Sequence, residues 1–352
     1  MTGPATAGDE MLRRAQSLAD ELLFPAAQDV DRAEIVPTGH LVALADAGLF
    51  GISGPVSHGG SALDRGHAWR TVAALFSGCA ATSFVWAQHQ GVVRNVARST
   101  NVDLREARLA GLCAGAEVAG VAFAHLRRPG PPAITATPVE GGWRLDGFSP
   151  WTTSWGLADW FAIAAESAAG EVVWGLIPAD TSGVLARPLA LPVLASTGTV
   201  TLTFEDCFVP ADHVVLIEPA DRWRLTDRLT SSAGAPATIG IAERAIRLLR
   251  DIDEPAATDT AGRLAEEHDG ATARYDELLD AIGAGEDVLG AASDHRALLI
   301  HLAKRSSMAL LAAVGGRGMD LAHPAQRLAR EADFFVIQAQ TADGRAAMLR
   351  GI

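Results

Sequence analysis

The sequence predicts an α+β fold in which two helical regions flank a central β domain. Apolar residues recur at helical spacing near both ends of the chain. Between these regions, short β-rich runs alternate with Gly, Pro and Asp. Hydrophobic residues make up 49% of the 352 residues and charged residues 20%, which is typical of a globular protein with a large core. We therefore expect an N-terminal helical domain at residues 1–120, a β domain at 121–218 and a C-terminal helical domain at 219–352.

The N-terminal domain is predicted to consist of helices only. Residues 10–32 and 38–47 have amphipathic patterns, and Gly48 ends the second of them. Residues 63–97 and 104–120 are rich in small apolar residues and poor in charge. That composition indicates buried helices that pack against neighbours on several sides.

The change from helix to strand is predicted near Val121. Five runs in the central region place β-branched and aromatic residues between turn-forming residues, as strands require. After Pro219 the spacing becomes helical again, with a break at Gly315–Gly318. The predicted strands are residues 134–139, 143–148, 160–165, 172–177 and 199–204, and the predicted helices are 233–251, 258–282, 286–314 and 324–350.

Charge and cysteine content narrow the functional classes. With 29 Lys and Arg against 42 Asp and Glu, the net charge of −13 would repel a polyanion, which excludes a general nucleic-acid binder. Cys79, Cys113 and Cys207 are isolated, so no disulfide framework or metal site is expected, and a cytoplasmic location is favoured. We expect no signal peptide, and polar residues interrupt the apolar stretches 72–93 and 109–126, so we expect no membrane span.

Five short motifs, spread over nearly the whole chain, carry a family resemblance. They are Gly48–Ile52 followed by Gly59-Gly60, Gly142–Gly147 leading to Trp151-Thr152-Thr153, Thr203–Pro210, Ile239–Arg244 and Gly315–Gly318. With these motifs the chain resembles the acyl-CoA dehydrogenase superfamily of flavoproteins. The resemblance implies a β-barrel-like central domain and a C-terminal four-helix bundle, with FAD between them. It also implies an acyl-thioester substrate and assembly as a homodimer or homotetramer.

Trp151, Thr152 and Thr153 are the first candidate cofactor-binding residues. A flavin ring needs an apolar wall and hydrogen-bond donors near its reactive edge, and this segment offers both. The resemblance implies that the segment packs against the flavin ring. The local pattern alone leaves the alternative that Trp151 packs inside the β domain.

Three further residues in the C-terminal domain are candidate cofactor contacts. Gly315 and Gly316 would offer backbone N–H groups to a diphosphate or a flavin carbonyl, unless they form only an ordinary turn between helices. Thr341 matches the threonine of the family's Tyr-Glu-Gly-Thr motif.

Asp227 is the candidate catalytic base. In the family, the glutamate of the Tyr-Glu-Gly-Thr motif removes the proton, but that position falls here on Ala339 or its glutamine neighbours, none of which is a base. Some relatives place the carboxylate in a Glu-Arg-Leu stretch, which Asp227 and the two residues after it match with a shorter acid. The alternative is that Asp227 forms a helix-surface ion pair with Arg224 or Arg228.

His125 is the second candidate catalytic residue. It lies in Phe123–Pro131, where the family has its Thr-Glu-Pro and Gly-Ser-Asp loop. His125 could shuttle protons or stabilise an oxygenated flavin, and Arg127 and Arg128 could hold an anionic substrate or a phosphate. The alternative is an ordinary surface loop. The family's Arg-x-x-Phe-Gly motif, which grips the FAD diphosphate of a neighbouring subunit, has no match, and an acidic turn at residues 250–255 takes its place.

Three functional hypotheses follow. The first is a flavin-dependent oxidoreductase that acts on the CH–CH group of an acyl thioester or a related metabolite, with proton removal by Asp227. The missing glutamate favours the second, a monooxygenase that receives reduced flavin from a flavin reductase. The missing diphosphate motif favours the third, a cyclase-like enzyme or a partner subunit that has lost its flavin. None of the three predicts a nucleic-acid or membrane partner.

Overall fold

The structure of the protein, a computed structural model, describes residues 6–351. Within this part of the chain lie twelve α-helices and eight β-strands. The helices are α1 (Ala7–Leu18), α2 (Phe24–Arg32), α3 (Thr38–Asp46), α4 (Arg65–Gly78), α5 (Ala80–Ala97), α6 (Val102–Ala114), α7 (Ala220–Ser232), α8 (Pro236–Arg250), α9 (Pro255–Gly283), α10 (Leu289–Val314), α11 (Pro324–Ile337) and α12 (Ala342–Arg350). The strands are β1 (Ala119–Ala122), β2 (Ile134–Val139), β3 (Gly142–Thr152), β4 (Trp160–Ser167), β5 (Glu171–Pro178), β6 (Val184–Pro188), β7 (Val200–Pro210) and β8 (Val214–Pro219).

The predicted α+β fold class is confirmed, since helices at both ends of the chain flank one mixed sheet. All six helices α1–α6 precede the sheet, and α7–α12 follow it. The first long helix differs from the prediction. It is divided into α1 and α2 by a π-helical segment, Ala19–Leu23, whose wider turn keeps Ala19 and Leu23 buried.

Several elements of the structure were not predicted. Helix α7 has few apolar residues, and only Ala220 and Trp223 in its first two turns are buried, so it shows no apolar stripe. The short strands β1, β6 and β8 were also missed. The helix predicted at 324–350 is two helices, because Ala339 takes a positive φ of 50° and the Thr341 hydroxyl caps the start of α12.

The sheet has the strand order β6-β7-β3-β2-β4-β5-β8, and β1 pairs in parallel with β4. Phe161 and Ile163 on β4 pack into one core with residues of β2, β3 and β7, which lies inside the curve of the sheet. Ala162 and Ala164, on the opposite face of β4, pack against α5 and α6. Both faces of β4 are therefore buried, and the sheet links the N-terminal helices to the C-terminal ones.

Helix α10 has a property that was not expected from the sequence. The segment Leu289–Met319 is long and apolar enough to cross a membrane by length and composition. Half of its most apolar window is buried inside the protein. A core helix of a folded domain has the same length and composition. His295 and Arg296 also lie buried near its N-terminal end, where they contact neighbouring helices and loops.

Candidate active site

Trp151 lies on the wall of a surface cavity of about 730 Å³. The pairing of β3 with β7 shifts register between Ser149 and Thr152, which produces a bulge. Trp151 occupies that bulge with a φ of 66°, and its side chain is 53% exposed. The alternative that Trp151 packs inside the β domain is therefore wrong.

The sheet register explains which side chains line this cavity. Thr203 on β7 pairs with Phe148 on β3, and Thr201 pairs with Arg187 on β6, so all four project from one face. Arg128, which follows the His125 loop, completes the rim. The full lining is Arg128, Asp146, Gly147, Phe148, Pro150, Trp151, Arg187, Leu189, Thr201, Thr203 and Phe204.

Buried hydroxyl groups lie directly after Trp151 in the chain. Thr153 Oγ1 lies 3.1 Å from Thr199 Oγ1. Thr152 Oγ1 and Ser154 Oγ are buried, and neither has a hydrogen-bond partner among residues 6–351. A buried hydroxyl without a partner is uncommon in a folded protein. Within the cavity itself, the exposed indole of Trp151 and the side chains of Thr201 and Thr203 fit a ligand with an aromatic ring and polar edges, and a flavin is one.

Gly315, Gly316 and Thr341 do not line the Trp151 cavity. The two glycines are exposed in a short 3₁₀ turn between α10 and α11, with room around both for a side chain. Thr341 is buried, and its hydroxyl accepts a hydrogen bond from the Gly344 N–H at 3.2 Å. Of the six candidate cofactor contacts, Trp151 alone lines the cavity, whereas Thr152 and Thr153 are buried outside its lining and the other three lie elsewhere in the chain. Their cofactor role remains a prediction.

Both carboxylate oxygens of Asp227 accept hydrogen bonds from Arg127, each at 2.8 Å. The two side chains are only 11% and 16% exposed, so this is a largely buried ion pair. The expected pairing of Asp227 with Arg224 or Arg228 is wrong. Those two arginines, on other faces of α7, pair with Glu166 and Asp343. Asp227 can act as a base only if Arg127 releases an oxygen, so its catalytic role remains a prediction.

His125 is buried, which makes the alternative of an ordinary surface loop wrong. Its Nε2–H donates to the Ala164 carbonyl at 2.8 Å, and its Nδ1 lies 3.1 Å from the Ser149 hydroxyl, which donates to it. Burial lowers the pKa of His125 from 6.5 to about 4. The ring is therefore neutral near pH 7 and already satisfied at both nitrogens. A role in proton transfer remains a prediction.

A second buried histidine, His89, is held in the same way. Its Nε2–H donates to the Leu112 carbonyl, and its Nδ1 accepts the Ala119 N–H, both at 3.0 Å. Protonation would place a second N–H against the Ala119 N–H, and burial lowers the pKa of His89 from 6.5 to about 4. Both histidines are thus neutral in the folded state at pH 5, whereas the unfolded chain protonates them.

We expect the protein to lose stability as the pH falls from about 6.5 towards 4. In this window the unfolded state binds more protons than the folded state, so acid favours unfolding. Between pH 8 and pH 5, each of His89 and His125 should remove about 2 kcal/mol from the free energy of unfolding. Urea denaturation at both pH values measures the loss. The variant His89→Gln should show a pH dependence smaller by about 2 kcal/mol, and an unchanged dependence would contradict this account.

Arg296 is a buried residue of this region that the sequence analysis missed. Its Nη2 donates to the Gln338 carbonyl at 2.6 Å, and its Nε donates to the Gly234 carbonyl at 3.3 Å. Burial and the nearby Arg127 lower the pKa of Arg296 to about 10. Arg296 ties the segment between α11 and α12, including Ala339, to the start of α8. The signal in the sequence that could have identified Arg296 is an arginine within the apolar pattern that predicts helix α10.

Comparison with known proteins agrees with this architecture. Residues 6–116 match the family described as "Acyl-CoA dehydrogenase, N-terminal domain". Benzylmalonyl-CoA dehydrogenase of Aromatoleum aromaticum is 28% identical over 217 residues, which cover 58% of this chain and 55% of that protein. The chain thus spans about half the length of this curated relative.

Solved structures with the same fold match almost the whole chain. Butyryl-CoA dehydrogenase from Megasphaera elsdenii has a TM-score of 0.83 at 17% identity, covering 99% of this chain and 98% of the other. The FAD complex of PigA has a TM-score of 0.82 at 19% identity, covering 100% and 98%. Residues 6–116 thus match the N-terminal domain of the acyl-CoA dehydrogenases, part of the chain is similar to a curated acyl-CoA dehydrogenase, and the whole chain shares their fold.

Proposed function

We propose that the protein is a flavin-dependent oxidoreductase that acts on the CH–CH group of an acyl thioester or a related metabolite. The observation that carries the proposal is Trp151, exposed on the wall of a cavity that Thr201 and Thr203 also line. PigA, which has the same fold, was solved in complex with FAD, and this supports a flavin as the ligand. The three cysteines are buried and free, which supports a location in the cytoplasm.

Each candidate residue has a distinct part in the proposal. Trp151 would pack against the face of the flavin, and the hydroxyls of Thr152 and Thr153 would contact its polar edge. A bound flavin would accept a hydride from the substrate carbon. Asp227 would take the proton from the neighbouring carbon once Arg127 releases it, and both side chains are shielded from water.

A homo-oligomer is part of the same proposal. Several apolar side chains of the C-terminal helices and of the turn between α10 and α11 are exposed, which favours contact with another copy. The exposed Gly315 and Gly316 lie in the same region of the chain and remain proposed contacts to the cofactor, as does Thr341. The exposed apolar residues are Leu298, Met308, Met319, Leu321, Ile337 and Leu349.

The test is anaerobic reduction of the FAD-loaded protein by acyl-CoA thioesters, followed by absorbance. We expect Asp227→Asn to slow flavin reduction by about 100-fold or more, because an asparagine cannot accept the proton. Asp343→Asn is the matched control, since it removes the ion pair that α7 makes through Arg228 and leaves Asp227 in place. Equal reduction rates in the two variants would remove Asp227 from the mechanism.

A monooxygenase is the second candidate, and one observation favours it. Both oxygens of Asp227 are engaged by Arg127, and the position of the family's glutamate falls on Ala339 or a neighbouring glutamine, none of which is a base. A monooxygenase that receives reduced flavin from a reductase needs no base at either position. Adding reduced flavin and oxygen to the purified protein with candidate substrates tests it. An oxygenated product, without flavin reduction by acyl-CoA, would favour this function over the first.

A further inference from the structure

We infer that Arg128 and Arg187 hold the phosphate groups of the flavin nucleotide within a single subunit. This inference rests on the proposed function, because it assigns two residues to the same flavin site. The site would replace the family's Arg-x-x-Phe-Gly motif, which this chain lacks. The ligand class that this site would bind is an aromatic ring system joined to a phosphate or a diphosphate.

The pairing of charges around the cavity is the first observation. Arg127 and Arg144, which flank this region, are paired with Asp227 and with Asp146 and Asp206. Arg128 and Arg187, in contrast, have no carboxylate within ion-pair distance among residues 6–351, although both line the cavity. The lining also includes the carboxylate of Asp146, which is already paired with Arg144. Arg128 and Arg187 therefore leave the cavity with a local excess of positive charge in a chain of net charge −13.

The other side chains in the cavity match the rest of a flavin nucleotide. Trp151 and Phe148 are 53% and 44% exposed, and they offer aromatic faces to a planar ring. The hydroxyls of Thr201 and Thr203 lie on the same face of the sheet as Arg187. Guanidinium groups match the geometry of phosphate oxygens with two donors each. The cavity volume of about 730 Å³ lies within the range of small-molecule sites.

The segment at the position of the missing Arg-x-x-Phe-Gly motif supports the inference that residues elsewhere in the chain bind the phosphates. Helix α8 ends at Arg250 and α9 begins at Pro255, so only a short turn joins them. Three of its residues, Asp251, Asp253 and Glu254, are exposed acids. Carboxylates repel a diphosphate, and the turn therefore cannot take over the function of an arginine motif.

The experiment compares ligands that differ only in phosphate content. Riboflavin, FMN and FAD are titrated into the protein freed of bound flavin, and binding is followed by flavin fluorescence. We expect Arg128→Gln and Arg187→Gln each to weaken FAD and FMN binding by about 10-fold and to leave riboflavin binding unchanged. Arg128→Lys should retain part of the affinity. Arg263→Gln on α9, an exposed arginine remote from the cavity lining, is the matched control, and its affinities should equal those of the unchanged protein.

The outcomes separate this inference from the proposed function. If the unchanged protein binds none of the three flavins, the proposed function fails, and the inference fails with it. If it binds FAD and the double variant Arg128→Gln/Arg187→Gln binds FAD equally well, only the inference is overturned. The inference alone is also overturned if the double variant loses affinity for coenzyme A and keeps its affinity for FAD, because the two arginines would then bind the substrate and not the flavin. Circular dichroism verifies that each variant is folded.

Discussion

Replacing Glu331 with alanine is expected to lower the free energy of unfolding by about 3–5 kcal/mol. Glu331 and Arg327 lie one turn apart on α11, and their side chains are 4% and 1% exposed. Arg327 Nη1 donates to Glu331 Oε1 at 2.6 Å, and Arg327 Nε donates to Gln28 Oε1 at 3.0 Å. The alanine variant would leave the guanidinium buried without a counter-charge, which is the main cause of the loss.

A double variant provides the control for this prediction. Arg327→Met/Glu331→Leu removes both charges and fills the space with apolar atoms, so it should recover most of the stability lost by Glu331→Ala. Urea unfolding followed by circular dichroism measures all the variants. If the double variant is as unstable as the single one, the loss arises from packing and not from the unpaired charge.

Replacing Gly240 with alanine is expected to destabilise the protein by about 3 kcal/mol. Gly240 lies where α8 crosses α4, and a Cβ at this position would overlap the Ala73 carbonyl oxygen and stand 3.0 Å from the Ser77 nitrogen. Both are backbone atoms of α4, so no side-chain rotation can relieve the contact. The two helices would have to move apart, and contacts along their whole interface would weaken.

The matched control for Gly240→Ala is the same substitution on a different helix. Gly262 and Gly270 lie within α9, and no atom would meet a Cβ at either position within 4 Å. Alanine at these positions should stabilise the protein by about 0.5–1 kcal/mol, because glycine is a poor helix former. Thermal unfolding of the three variants gives the comparison. A stable Gly240→Ala protein would mean that α4 and α8 can separate at Gly240 without losing their other contacts.

The fold could be predicted from the sequence largely because its signals are local. Helical spacing and β-rich runs depend on neighbours in the chain, and they indicated the order of helices, sheet and helices. Helix α7 was missed for the same reason, since its contacts are ion pairs with distant segments and not an apolar stripe. The break at Ala339 was missed because it depends on a positive φ, which an alanine does not signal.

The site was predictable only in part. Trp151, Thr152 and Thr153 were proposed because their motif is contiguous, and of these Trp151 lines the cavity. Arg187 could not be placed beside Trp151, because this depends on the pairing of β6 with β7, and β6 itself was not predicted. Likewise, the pairing of Arg127 with Asp227 joins residues 100 positions apart, whereas sequence spacing suggested partners on the same helix.

The three ion pairs that join α7 to other segments differ in how they would respond to salt. The pair of Asp227 with Arg127 is shielded, whereas Arg224 and Arg228 are 45% and 46% exposed in their pairs with Glu166 and Asp343. At 1 M salt, charges in solvent interact over only about 3 Å, while buried pairs are screened much less. Concentrated salt would therefore weaken the attachments of α7 to β4 and α12 first, while the Asp227 pair and the buried Ala220 and Trp223 keep the helix in place. Ionic strength thus acts on the outer contacts of this helix and not on its buried ones.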